Sequence, residues 1–224
     1  MIQLSEPFTC TWAHVNTKTS LILEEMRRKD SYYWGHVMRS CTYALEFGRQ
    51  QRLNQTDLQL LYLAAFFHDI GKLLIPANIL NKSDSLTPAE YELMNTHPVL
   101  GEEICSKLGP FEQVAHLVAC HHERPNGTGY PKGLKGREIP ELARILAVIE
   151  VYDALRSKRS YKPPFPLEQS LEILHQNAAN GNLDAQVVSD FARFAENMIG
   201  QHSRPKTQTR AESLPTGQTI TLWI

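Results

Sequence analysis

Apolar residues recur at helical spacing along almost the whole of this 224-residue chain. Proline and glycine break the recurrence, rather than the alternation a half-buried strand would need. That pattern leaves little room for a sheet and predicts an all-α fold. One helix is expected around residues 21–27. A longer one runs from Ser31 to about Gln51, where His36, Val37, Ser40, Cys41, Ala44 and Phe47 share the period. Thr56 is the expected N-cap of a third, with Gln59 in capping-box position. Leu58, Leu61, Tyr62, Ala65 and Phe66 carry that helix to His68, and Gly71 and Pro76 end it. Residues 80–85 read as loop. Thr87 caps the next helix with Pro88 in first position, and Pro98 restarts a helix on the other side of His97. The Gly109-Pro110 break precedes a helix from about Phe111 to His122. Pro140 opens an apolar helix through Ile145, Leu146, Val148, Ile149 and Tyr152, and two more are expected at 167–179 and 184–199.

The expected organisation is a lead-in and helix over 1–30, one domain over 31–200, and a polar tail over 201–224. The tail is rich in Thr, Ser and Pro and is expected to be disordered. Hydrophobic residues are 42% of the chain, enough for a domain of this size to build a core without disulfides. Cys10, Cys41, Cys105 and Cys120 form no CxxC pair. They read as buried free thiols of a reducing compartment. No apolar run is long enough to span a bilayer, and Met1 to Cys10 lacks a secretory pattern. The expectation is a cytoplasmic protein.

The chemistry concentrates in the histidines. His68-Asp69 puts an imidazole and a carboxylate at the end of a buried helix, both standard ligands of first-row divalent metals. Alone, the pair reads more simply as a core histidine beside an acidic cap. Its company changes that reading. Lys72 brings an ammonium one turn away. His36 lies mid-helix, His97 precedes Pro98, and His121-His122 is a doublet. Glu150 and Asp153 stand at i and i+3 in an otherwise apolar helix, where they face the same side. Together these residues fit an oxygen- and nitrogen-rich site large enough for two ions. Thiolates are absent from it, which favours iron or manganese over structural zinc.

The long segment from Glu123 to Ile139, with Gly127, Gly129, Gly133 and Gly136, reads as an ordered functional loop. Between Arg124 and Arg137 it carries four basic residues and no acidic one. Between Arg156 and Lys162 there are four more, again without an acid. The net charge of -1 gives no global attraction for DNA or a membrane. These local clusters therefore point to an anionic small molecule bearing phosphate.

His68-Asp69-Ile70-Gly71-Lys72 and the run from His121-His122-Glu123 to Gly129-Tyr130-Pro131 resemble the two signatures of the HD-GYP domain, a branch of the HD metal-dependent phosphohydrolases. The resemblance extends from about His36 to Phe191. It takes in His97-Pro98-Val99-Leu100-Gly101, Glu150-Val151-Tyr152-Asp153-Ala154-Leu155 and Arg159-Ser160-Tyr161-Lys162. It implies an HD-type helical bundle with a long Gly-rich loop carrying the GYP motif. It also implies a phosphodiesterase with two divalent metal ions that hydrolyses cyclic di-GMP to pGpG or GMP in bacterial signalling. His36, His68, Asp69, His97, His121, His122 and Glu150 would be metal ligands, with Asp69 bridging the two ions. Asp69 and Lys72 would act at the scissile phosphate. Gly129, Tyr130 and Pro131 would form the lip over the substrate, with Asp153, Arg159 and Lys162 also on the substrate side. Protein partners in signalling would meet the GYP loop.

The chain departs from the family pattern at three places. Glu150 stands where the family usually has Asp. Tyr32 occupies the position of a Glu associated with a third metal, which argues for two ions. Asn126 replaces a frequent Asp and suits the same turn. Two other readings stand beside the enzyme. One is a catalytically silent binding module, favoured by Glu150. The other is a phosphohydrolase of a different nucleotide, disfavoured by the Gly-Tyr-Pro loop.

Overall fold

A computed structural model describes residues 17–28, 31–82, 84–157 and 163–202. The lead-in before Thr17, the tail after His202, and Arg159 and Lys162 lie outside the described residues, as does the side chain of Tyr32. Among the described residues the regular structure is helical, and the one pairing of extended backbone is an isolated bridge between Asn126 and Lys135. No described helix is long and apolar enough to cross a membrane.

Helix α1 is Thr17–Arg28, α2 Ser31–Gln50 and α3 Gln55–Phe67. The cap of α3 is Asn54 rather than Thr56: its side chain accepts the Asp57 N–H at 2.9 Å. Two cap-competent residues stand two apart here, and the earlier one takes the backbone donor. A 3₁₀ turn over Ile70–Leu74 leads to the single-turn α4, Ala77–Leu80, which takes the start of the segment expected as loop. Helix α5, Pro88–Met94, begins on the Thr87–Glu90 capping box. Helix α6 is His97–Ser106.

The helix expected over 111–122 is two pieces, a 3₁₀ segment Gly109–Val114 and α7, Ala115–Cys120. Phe111 and Val114 are both fully buried, and in the tighter helix three-residue spacing brings them directly into line. After the glycine-rich loop, with its short 3₁₀ turn Gly136–Glu138, come α8 (Glu141–Arg156), α9 (Leu167–Ala179) and α10 (Ala185–His202). Helix α10 runs into the first two residues of the expected tail.

Helix α8 is central. It packs on α2, α3, α7, α9 and α10, which is why residues on most of its faces are apolar and buried. On one side Tyr43, Phe47, Tyr152, Phe191 and Phe194 form an aromatic cluster, with Phe47 and Tyr152 each 5.0 Å from Phe191 between ring centroids. On the other, α6 closes on the 3₁₀ turn that follows α3. The contact there is backbone on backbone. A Cβ on Gly71 would lie 1.9 Å from the His97 carbonyl oxygen and 2.7 Å from the Gly101 nitrogen.

Candidate metal centre

Four helix ends and two helix faces bring the polar residues together. His68 caps the C-terminus of α3, and Asp69 follows it. His97 opens α6 directly after α5, and His121-His122 follow α7. His36 comes from the middle of α2 and Glu150 from α8.

Three of the histidines are oriented by one device. The last carbonyls of a helix have no N–H from a next turn. Each ring turns back onto one of them. His68 donates Nδ1–H to the Ala65 carbonyl at 2.8 Å, His97 to Met94 at 2.8 Å, and His121 to Val118. A carbonyl only accepts, so Nδ1 carries the hydrogen and the Nε2 of each neutral ring is a bare lone pair. His36 differs. It is mid-helix, where backbone carbonyls are already engaged, and it donates Nδ1–H to Asp153 Oδ2 at 2.8 Å.

The Nε2 nitrogens converge. His36 Nε2 is 3.1 Å from His68 Nε2, and His97 Nε2 is 3.2 Å from His121 Nε2. Asp69 lies between the two pairs, with Oδ2 3.4 Å from His68 Nε2 and Oδ1 3.4 Å from His97 Nε2. Glu150 Oε1 is 3.3 Å from His68 Nε2 and 3.9 Å from His121 Nε2, buried and without a hydrogen bond. The ligand atoms of His36, His68 and Asp69 form one group within 4.8 Å of one another, and those of His97, His121 and His122 form a second. Lone pairs facing one another at these distances repel unless a proton or a cation stands between them. The donor set, imidazole nitrogen and carboxylate oxygen, fits two divalent ions.

The charges agree with that use. Burial works against ionised Asp69, but the Lys72 ammonium at 2.6 Å and the neighbouring His68 hold it well below the usual carboxylate range. Burial pushes His97 down to about 4 and lowers His121 and His122 well below the ordinary imidazole value, so these three are neutral. Burial also works against a proton on His68. The Asp69 and Glu150 carboxylates outweigh it and raise the ring to about 9. Burial, with Asp69 adding to it, brings Glu150 up to about 7. His68 therefore holds a proton near neutral pH that a bound cation would displace.

The glycine-rich loop closes over this cluster. Tyr130 stacks on His122 at 4.8 Å and 29°, and its N–H donates to the His122 carbonyl at 3.2 Å. Gly129 passes so close to the doublet that a Cβ would be 2.3 Å from the Arg124 nitrogen. Pro131 follows Tyr130 through a cis peptide bond. Glu123 was absent from the residues picked out in the sequence. It is 2% exposed and accepts the Lys132 and Leu134 N–H groups at 2.7 and 2.9 Å. Its signal was an acidic residue inside an apolar helix end, read only as part of the motif. Asn126 ties the loop outward, donating its backbone N–H to Gly181 and its side-chain amide to Asn180.

Asp153, expected on the substrate side, is fully buried, and its carboxylate takes His36, both Nε and Nη2 of Arg39, and Ser157. Three residues advance a helix by 300°, so the side chains of Glu150 and Asp153 diverge by about 60°. Glu150 points into the cluster and Asp153 to the helix behind it. Glu150 has not swung out to a base, since Arg144 pairs with Asp184 and Arg156 with the Phe165 carbonyl.

Residues 16–187 match the HD domain family. The chain belongs to that family. With its Gly-Tyr-Pro loop, it is an HD-GYP member. This HD domain is 40% identical over 156 residues to a cyclic di-GMP phosphodiesterase of Thermotoga maritima, covering 68% of this chain and 41% of the relative. It is 42% identical over 160 residues to the cyclic di-GMP phosphodiesterase response regulator RpfG of Xanthomonas campestris, covering 69% and 42%. It is also 37% identical over 149 residues to 3'3'-cGAMP-specific phosphodiesterase 3 of Vibrio cholerae, covering 66% and 32%. The chain thus spans about a third to two fifths of these relatives. In fold it is similar to the HD domain of the Listeria monocytogenes phosphodiesterase PgpH, with a TM-score of 0.62 at 17% identity, covering 84% of this chain and 100% of that one.

Proposed function

We propose that this domain is a two-metal phosphodiesterase that opens a 3'-5' phosphodiester of cyclic di-GMP, giving pGpG and then GMP. The observation that carries the reading is the convergence of four imidazole Nε2 atoms and the Glu150 oxygen without a hydrogen bond around Asp69. His36, His68 and Asp69 would hold one ion, and His97, His121 and His122 the other. Asp69 would bridge them and Glu150 would reach between. Iron or manganese suits this set of nitrogen and oxygen donors without thiolate. When bound, two such ions activate water at neutral pH and offset charge on the phosphate.

The chain's own groups do the rest. Lys72, held against Asp69 Oδ2, adds positive charge where the phosphate oxygens become more negative. Water adds to phosphorus, the bond to the ribose 3' oxygen breaks, and that oxygen leaves with a proton. Tyr130, stacked on His122, offers an aromatic wall beside the cluster. Arg159 and Lys162 are read as the clamp on phosphate or guanine, and the GYP loop as the face for protein partners.

The relatives named for 3'3'-cGAMP support a second substrate of the same class. The test is to purify the chain without oxygen, count metal per chain, and follow cyclic di-GMP and 3'3'-cGAMP by chromatography. Two ions per chain and linear dinucleotide are expected, with Asp69→Ala losing both hydrolysis and metal while keeping its helical signal. A metal-replete chain that cleaves neither dinucleotide overturns the reading.

A further inference from the structure

The histidines of the centre are not held alike. His68, His97 and His121 each rest on a free carbonyl at a helix end, a neutral and local support. His36 is the sixth residue of α2, where no such carbonyl is available. Its support comes from α8, in the carboxylate of Asp153.

A buried carboxylate in turn needs a counter-charge. It comes from Arg39, one turn along α2 from His36. Arg39 donates Nε to Asp153 Oδ1 at 2.6 Å and Nη2 to Oδ2 at 3.0 Å, and Ser157 Oγ donates to Oδ2 at 3.1 Å. Asp153 Oδ2 thus receives three donors and Oδ1 one. Both carboxylate oxygens are fixed, and the imidazole has a single orientation.

We infer that Arg39 and Asp153 are positioning residues which lock His36 in the Nδ1–H tautomer and make it the most strongly donating nitrogen of the centre, so that the ion beside His36 and His68 depends on this buried pair while the ion beside His97, His121 and His122 does not. An ionised carboxylate behind a ligating imidazole fixes its tautomer and raises its basicity. A backbone carbonyl fixes the tautomer with less charge. The inference rests on the two-ion reading above and adds an asymmetry to it.

The substitution Asp153→Asn exposes the logic. The amide oxygen takes the place of Oδ2, where His36, Arg39 Nη2 and Ser157 donate, and the NH₂ takes the place of Oδ1 against Arg39 Nε. His36 keeps its Nδ1–H but loses the charged acceptor behind the ring.

The experiment is a manganese titration of the chelator-treated chain and of Asp153→Asn, Arg39→Lys and Arg39→Met. It is paired with long-range ¹⁵N–¹H spectra of the imidazoles in the metal-free proteins. Circular dichroism confirms that each is folded. In Asp153→Asn one ion is expected to weaken 10- to 100-fold, the range for loss of such a support, with the other within twofold of the parent. The His36 spectrum should show Nδ1–H in the parent and in Asp153→Asn. Arg39→Lys keeps the charge and loses the fork, and should fall between the parent and Arg39→Met. Asp153→Asn with both affinities within twofold of the parent, or a parent with His36 in the Nε2–H form, overturns the inference. If Asp153→Asn does not fold, Arg39→Met decides on the two affinities. A parent that binds fewer than two ions defeats the two-ion reading instead, and the tautomer spectra still judge the role of the pair.

Discussion

Glu123 gives the sharpest prediction about the loop. Its two carboxylate oxygens accept the N–H groups of Lys132 and Leu134, which lie on the far side of the Gly-Tyr-Pro turn. Hydrogen bonds to a charged group contribute about 1.5–3 kcal/mol each, so the pair could contribute up to about 6. In Glu123→Ala the two donors are freed, but they sit on a loop and can recover water. The net loss should then be about 2–4 kcal/mol, assigned to the closed loop rather than to the whole fold. At about 1.4 kcal/mol per tenfold, amide exchange at Lys132 and Leu134 should speed up about 30- to 1,000-fold. Glu123→Gln keeps one acceptor and turns a donor toward the other N–H, so it should fall between. Hydrogen exchange read by NMR, with metal count and KM on the same samples, checks this. KM should rise while the metal count holds. Unchanged exchange at both amides in Glu123→Ala would refute this role, because among the described residues Glu123 is the acceptor of both N–H groups.

Three further outcomes are expected. Glu150→Asp should keep both ions and Glu150→Ala should lose one per chain, read by elemental analysis; equal counts in parent and Ala variant would remove Glu150 from the ligands. Asp184 is raised by burial, but the Val187 N–H and Arg144 outweigh this and hold it below its usual value. Its contribution is therefore present above the unfolded value of about 3.9 and fades as pH falls through the lower folded one. Melting curves of Asp184→Asn should sit below the parent near neutrality and converge with it below about pH 4. Burial pushes the Cys105 thiol up to about 12 and Cys120 to about 11. Cys41, Cys105 and Cys120 should stay unalkylated by iodoacetamide at pH 8 until the chain unfolds, as peptide mapping would show.

What could be read from the sequence follows the range of the forces involved. The Thr87-Pro88-Glu90 start is local: cap, first residue and reciprocal bond lie within four positions, and the observed helix begins as expected. Asn54 against Thr56 is also local, but two valid caps compete and the sequence carries no rule for choosing. The split of 111–122 depends on Phe111 and Val114 both meeting the core, a tertiary fact that periodicity does not hold. The same holds at the site. His68, Asp69, His97 and the doublet stand at helix ends that proline and glycine announce. Asp153 looked like a partner of Glu150 because spacing alone ignores the 60° between them. Its neighbours, His36 and Arg39, are more than a hundred positions away.

The approach of Gly71 to His97 sets a limit on how this centre can be altered. Asp69 leaves one side of that contact and His97 the other, so the gap between the two groups of candidate ligands is gauged by main chain resting on main chain. Exchanging Glu150 for Asp would alter the reach of one side chain by a methylene. A single methyl group at Gly71 acts differently. It wedges the third helix's end away from the sixth helix and changes the span itself, moving every donor on one side relative to every donor on the other. Redesign of this domain for other cations should therefore vary the ligands freely and leave that hinge of bare backbone alone.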